Sequence, residues 1–232
     1  MKRSLHHLIV GIVALIAVTL TAKAETHYKP HIWLGGHAGI SLSKVSFSPS
    51  VSQKMAMAST GAVAIKYTEE KLFGIIGELG WAQRGWAENF KETTLSYTRS
   101  LTYLNLSVLT QITFGPRRFK CFVNLGPQLS YMIANSISAN FDYTDPYSDP
   151  QFRTLTARQT AQLTAPMNKK FDYGIAGGLG FEFFAQPRHS ITLEARYYFG
   201  LGNILPSSKS DTFGASRNNS IEVALGYNFR IY

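Results

Sequence analysis

In the stretch KFDYGIAGGLGFEFF, Lys170 to Phe184, two different surfaces alternate residue by residue. One carries Phe171, Tyr173, Ile175, Leu179, Phe181 and Phe183; the other carries Asp172, Gly174, Ala176, Gly178, Gly180 and Glu182. A period of two sustained this long describes a strand whose two faces meet different surroundings. Eight such runs, of 11 to 17 residues, cover the chain: Ile32 to Ser43, Met57 to Tyr67, Leu72 to Gln83, Tyr97 to Thr113, Phe119 to Ile133, Lys170 to Phe184, Ser190 to Leu201 and Asn218 to Ile231. Strands in soluble proteins usually run about five or six residues. Long strands in an even number predict an all-β fold, an eight-stranded antiparallel up-and-down barrel. No helix-period segment of useful length competes with them.

The connections alternate in length. Thr68 to Lys71, Gly115 to Arg118 and Ala185 to His189 are tight turns, whereas Lys44 to Ala56, Arg84 to Ser96, Ala134 to Lys169 and Gly202 to Arg217 are long. In an up-and-down barrel this puts every tight turn at one end and every long loop at the other. Outer-membrane barrels have that asymmetry, with short periplasmic turns and long extracellular loops.

Alternation alone leaves open which face points outward, because soluble barrels alternate too. The distribution along each strand decides it. On the apolar face, aromatics lie near strand ends: Trp81, Tyr131, Phe171, Tyr173, Tyr197 and Phe199 toward the loops, Phe114, Phe119, Phe181, Phe183, Tyr227 and Phe229 toward the turns. Aliphatics such as Leu79, Leu106, Val123, Leu179, Leu193 and Leu225 lie between. Two aromatic girdles around an aliphatic belt fit lipid, and a soluble core has no reason to sort aromatics by depth. Charged residues make up only 16% of the chain, against about 25% in soluble domains, consistent with a surface partly solvated by lipid.

The polar face then lines the lumen. Its small residues leave room in a narrow interior for a polar network drawn from Glu78, Glu182, Glu194, Arg196, Glu222 and Arg230. Arg196 and Glu222, inward on neighbouring strands, are candidates to pair, with Glu194, Glu78 and Glu182 as alternatives. Opposed charges in an eight-stranded barrel predict a largely filled lumen.

The N-terminus, MKRSLHHLIVGIVALIAVTLTAKA, has Lys2 and Arg3, an apolar run from Leu8 to Leu20, and small residues at Ala22 and Ala24. It reads as a signal peptide over 1–24, cleaved after Ala24, followed by the barrel over 25–232. The apolar run is short of the roughly 20 residues of a membrane span. Without Lys2, Arg3 and Lys23, 20 basic residues face 14 acidic ones, a formal charge of +6. The charges are scattered, and no nucleic-acid motif is present.

Enzyme chemistry finds little support. His189 and Ser190 are adjacent, but strand neighbours point to opposite faces, and a nucleophile and its base must share one. Asp142, Asp145 and Asp149 lack the Gly-turned register of a calcium loop and read as a solvated loop. No metal site, cofactor or catalytic residue is expected. The 134–169 loop, with Phe141, Tyr143, Tyr147 and Phe152, is long for a simple connection. It reads as a contact surface for another envelope protein.

Three stretches, FGIIGELGWAQRGW (Phe73 to Trp86), KFDYGIAGGLGFEF (Lys170 to Phe183) and SIEVALGYNFRIY (Ser220 to Tyr232), resemble the PorT-like outer-membrane β-barrel family of small eight-stranded "porin family" proteins. The resemblance covers essentially the whole chain after the leader. It implies an integral outer-membrane barrel in contact with lipid, and a link to protein secretion through other envelope proteins. The expected role is that of a non-enzymatic envelope scaffold, with a porin-type small-solute channel as the alternative.

Overall fold

Each of the eight alternating runs forms a strand, and every strand pairs antiparallel with both of its neighbours. The computed structural model describes residues 30–69, 72–90, 94–145, 150, 157–207 and 211–232; the leader and the cleavage point after Ala24 lie outside them. The strands are β1 (His31–Ser48), β2 (Gln53–Lys54), β3 (Ala56–Thr68), β4 (Phe73–Glu88), β5 (Tyr97–Phe114), β6 (Phe119–Ala139), β7 (Phe171–Gln186), β8 (His189–Gly200) and β9 (Ala215–Arg230). One helix, α1 (Ala157–Thr164), lies in the 134–169 connection. The two-residue β2 extends the sheet beside the end of β4, with Gln53 opposite Glu88.

Around the ring the order is β1, β3, β4, β5, β6, β7, β8, β9, and β1 closes onto β9 from Trp33 opposite Arg230 to Ser48 opposite Ala215. Closure pairs the backbone groups that an open sheet would leave at its edges, a requirement in hydrocarbon. Among the described turn residues Gly115 needs special backbone: its φ is 127°, and a Cβ there would lie 2.7 Å from the Phe119 carbonyl oxygen.

The outward surface is the apolar one. Leu79, Leu106, Val123, Leu179, Leu193 and Leu225 are all exposed, and none has a protein partner layer outside it. Register fixes their depth: Val123 lies opposite Leu179 and Leu193 opposite Leu225. At the turn end Phe119 lies opposite Phe183 and stacks on Phe181 at 5.4 Å; at the loop end Tyr131 lies opposite Phe171. The twelve steps from Phe119 to Tyr131 rise about 3.3 Å each, so at a tilt of about 40° they span roughly 30 Å, enough for a lipid-facing band of about 25 Å and its girdles.

The strands run further than alternation suggested, by the largest margins at the loop end. β1 continues from Ser43 to Ser48, β4 from Gln83 to Glu88, β6 from Ile133 to Ala139, and β9 begins at Ala215 instead of Asn218. The cause is an inversion of polarity. On β5 the outward residues change from Leu106 and Leu104 to Thr102, Ser100 and Thr98, while the inward ones change from Ser107 and Asn105 to Tyr103, Leu101 and Tyr97. Past the membrane the outer face meets water and the inner face meets protein, so the apolar side switches without a change of backbone.

That inner face encloses an apolar cap. Val45, Phe47, Trp86, Tyr97, Leu101, Tyr103, Met132, Leu163, Ile204, Leu205 and Phe213 form one buried cluster, drawn from strand ends and loops alike. The short helix α1 joins this cap without changing the all-β class. Its eight residues are too few to show a helical period, and it is held by Leu163, whose carbonyl accepts a 2.9 Å hydrogen bond from the Tyr97 hydroxyl. Phe141 and Tyr143 pack half-buried against the cap. Tyr147 and Phe152 lie outside the described residues.

Candidate functional site

The lumen is filled by layers of charge that bridge opposite walls. Nearest the turn end, Lys66 on β3 donates to both carboxylate oxygens of Glu182 on β7, at 2.8 and 3.0 Å, and Ser190 donates to Glu182 at 2.7 Å. In the middle, Arg196 on β8 makes a bidentate bridge to Glu78 on β4, at 2.5 and 2.9 Å, and a 2.7 Å bond to Glu194. Toward the loops, Arg84 on β4 reaches Glu222 on β9 at 3.3 Å, with its guanidinium 3.8 Å from the centre of the Tyr198 ring. Beyond it, Asn218 on β9 donates to the hydroxyl of Tyr103 on β5 at 3.1 Å and to Asp172 at 2.9 Å.

Ring order shows what these contacts do. β3 and β7 stand four places apart in an eight-membered ring, as do β4 and β8, and β5 and β9. Lys66–Glu182, Arg196–Glu78 and Asn218–Tyr103 are therefore struts across the diameter. A bore this narrow lets one long side chain span it. The bidentate guanidinium–carboxylate geometry is the strong form of such a pair.

Glycine placement makes room. A Cβ on Gly178 would lie 2.8 Å from both Asn124 Oδ1 and Glu194 Oε1, where Asn124 now donates to Glu194 at 2.9 Å. The two voids between the layers measure about 30 Å³ and 10 Å³. Each holds at most one or two water molecules.

The six lumen residues named from the sequence divide into three clusters and one outlier. Glu78, Glu194 and Arg196 meet; Glu182 sits with Lys66; Glu222 sits with Arg84. Arg230 stands apart at the turn end, 5.8 Å from the Trp33 ring. Arg196 and Glu222 lie opposite each other in register but do not pair. Sequence reasoning missed Lys66 and Arg84. Lys66 is inward by alternation between the outward Ile65 and Tyr67, a signal open to use; Arg84 fell in the stretch assigned to a loop.

Outside the membrane, burial in the cap pushes the Glu88 carboxyl up to about 7, opposed by hydrogen bonds from Gln162 and Trp86, the latter at 2.8 Å. Asp142 is held low by hydrogen bonds from Thr144, at 2.6 Å from the hydroxyl and 2.9 Å from the amide. It closes a local turn. Asp149 lies outside the described residues, and among the described residues no three His, Cys, Asp or Glu side chains converge on one point. His189 and Ser190 diverge: the imidazole meets the Tyr227 hydroxyl outside, and the serine bonds Glu182 inside.

Solved structures of similar fold include Neisserial surface protein A, 10% identical with a TM-score of 0.48, covering 87% of this chain and 99% of that one. OprG of Pseudomonas aeruginosa is 12% identical with a TM-score of 0.46, over 88% of this chain and 96% of that one. Ail, the attachment invasion locus protein of Yersinia pestis, is 14% identical with a TM-score of 0.39, over 85% and 98%. No curated protein matches the sequence. The family model for the outer membrane protein β-barrel domain matches residues 27–205, and with its closed eight-stranded ring and lipid-facing belt the chain belongs to that family.

Proposed function

We propose that this barrel is a non-conducting envelope scaffold, exported with a leader cleaved after Ala24, whose loop end holds another envelope protein. The observation that carries this reading is the lumen: three charged layers cross it, and the apolar cap lies above them. A solute would have to break the Lys66–Glu182 and Arg196–Glu78 struts to pass. Breaking a buried pair typically costs about 3 to 5 kcal/mol, a heavy barrier for a diffusive pore. The 134–169 connection supports the partner role, because α1, Phe141 and Tyr143 anchor it and the exposed Ser136, Ser138 and Asn140 line its approach. A secretion partner is the specific form suggested by the PorT-like resemblance.

Two measurements test the reading. In planar bilayers the purified barrel is expected to give no stable conductance steps; large uniform steps would establish the porin alternative. A photo-crosslinking residue at Ser136 or Ser138, activated in intact membranes, is expected to capture one discrete envelope protein, and a captured secretion component would define the role. Capture of lipopolysaccharide alone would remove the scaffold role.

A further inference from the structure

Below the Lys66–Glu182 strut the barrel opens at its turn end into a vestibule of about 990 Å³. All three tight turns contribute to its rim, and inward residues of β1, β3, β5, β6, β7 and β9 form its wall. Its charge is one-sided. Among the described lining residues are Lys66, Arg117, Arg118, Lys120 and Arg230, against the one carboxylate of Glu182. That carboxylate already accepts two bonds from Lys66 and one from Ser190.

Lys120 shares Glu182, its register partner across β6 and β7, with Lys66, and the aromatic rings hold the cations beside it. Lys120 lies 5.1 Å from the Phe184 ring and Arg230 lies 5.8 Å from the Trp33 ring, while the two rings meet edge to face at 5.7 Å. Lys66 also approaches Trp33, at 5.4 Å. An aromatic pair thus draws three cations from different strands, β3, β6 and β9, toward the axis of the vestibule. Contact with a ring face favours a cation but leaves its charge in place. Among the described residues, no ion pair engages Lys120, Arg230, Arg117 or Arg118. In the membrane-spanning layers above, Arg196 and Arg84 each end on a carboxylate, whereas in the cap Arg99 ends on Asn135 and the Ala165 carbonyl.

We propose that the turn-end vestibule is a binding site for a multiply charged anion of the phosphate class, entering from the periplasmic side. Guanidinium groups match phosphate oxygens in paired fashion, and several cations around one concave space favour a ligand with more than one negative charge. The volume suits a ligand rather than a single ion, being within the usual range of small-molecule sites. The strut above makes the vestibule blind, so it is a place to bind and not a route through. Two sources offer this chemistry: soluble oligophosphates, and the phosphodiester headgroups of lipid beside the exposed Phe73 and Phe114 on the rim.

The test is calorimetric titration of inorganic tripolyphosphate into the folded barrel in zwitterionic micelles at low salt. Saturable binding at one site is expected. Lys120→Gln and Arg230→Gln should each weaken it by about tenfold, as the loss of one charge-assisted contact does. Lys120→Arg should retain binding, and Arg217→Gln, exposed at the loop end, should leave it unchanged. The shift between boiled and unboiled gel mobility reports that each variant is folded. Absent binding, or binding that ignores both vestibule substitutions, overturns the proposal. Repeating the titration in nanodiscs separates the sources: weaker apparent affinity in phosphatidylglycerol than in phosphatidylcholine marks headgroups as occupants, and equal affinity marks a soluble anion. Conductance plays no part in this readout, so its failure leaves the non-conducting reading intact, and the reverse also holds.

Discussion

Arg196 and Glu222 face each other across neighbouring strands β8 and β9, yet Arg196 bonds Glu78 and Glu194 while Glu222 bonds Arg84. Adjacent inward side chains in a small barrel lie side by side and both point at the axis. Each therefore meets the far wall more readily than its neighbour.

A double-mutant cycle measures this. Arg196→Met, which leaves Glu78 and Glu194 without their cation, should destabilise the barrel by about 3 to 5 kcal/mol; Glu78→Gln, which leaves Arg196 with Glu194, should cost less, and the double variant should cost less than their sum. Urea unfolding in lipid vesicles gives the values. The cycle of Arg196→Met with Glu222→Gln should show clearly weaker coupling; the opposite ranking would mean that the strut across the diameter is not the dominant contact.

Polarity inversion on β5 gives a second expectation. Leu106→Arg puts a charge in the aliphatic belt and should cost about 2 to 4 kcal/mol. Thr98→Arg, on the same strand and the same face but above the membrane, should change stability by no more than about 0.5 kcal/mol. Equal losses would place the upper strand in lipid.

Alternation made the eight strands, the outward face and the two girdles legible, because the bilayer imposes one solvent along the whole of each lipid-facing run. It failed where that solvent ends. At Arg84, Trp86 and Glu88 the inward side becomes partly apolar and the outward side mixed, so a strand looked like a loop. Alternation also gives a residue's face but neither its depth nor its angle around the axis. The inward set containing Glu78 and Arg196 was therefore readable, but its pairings were not. Lys66 and Glu182 are 116 positions apart, and only ring closure brings them together.

Leu163 tests the cap separately from the barrel. It is fully buried, and truncation to alanine should remove about 2 to 5 kcal/mol from the packing that holds α1. Amide exchange in α1 and protease cleavage between residues 140 and 170 should both accelerate. Heat-modifiable gel mobility, which reports the closed barrel, should stay unchanged; its loss would show that cap and barrel fold as one unit.

Glu88 makes the cap sensitive to pH. Its carboxyl titrates near 7 in the folded protein against an ordinary value of 4.5, because burial disfavours the charged form. Below pH 4.5 the group is protonated whether the cap is folded or not, and it carries no penalty. The penalty grows from there and is complete above pH 7, reaching no more than about 3 kcal/mol. Gln162, Trp86 and Tyr97 face it, and none of them changes charge in this window. Cap opening, followed by Trp86 fluorescence or proteolysis, should therefore increase as pH rises from 4.5 to 8. Glu88→Gln should flatten that dependence; an unchanged pH profile in the variant would assign the effect to another group.

The struts also divide the chain into two electrostatic complements. Strands β1 to β5 supply Lys66, Arg84 and Glu78, and strands β6 to β9 supply their respective partners Glu182, Glu222 and Arg196. Only Arg196 among these keeps an acid inside its own half, Glu194 on the same strand. A half-length product, or a chain stalled with four strands inserted, holds stranded charges in hydrocarbon and gains nothing from folding further by itself. The two halves expressed as separate polypeptides would each carry the template for the other, and the polar interior acts as a proofreading lock that accepts only the completed circle.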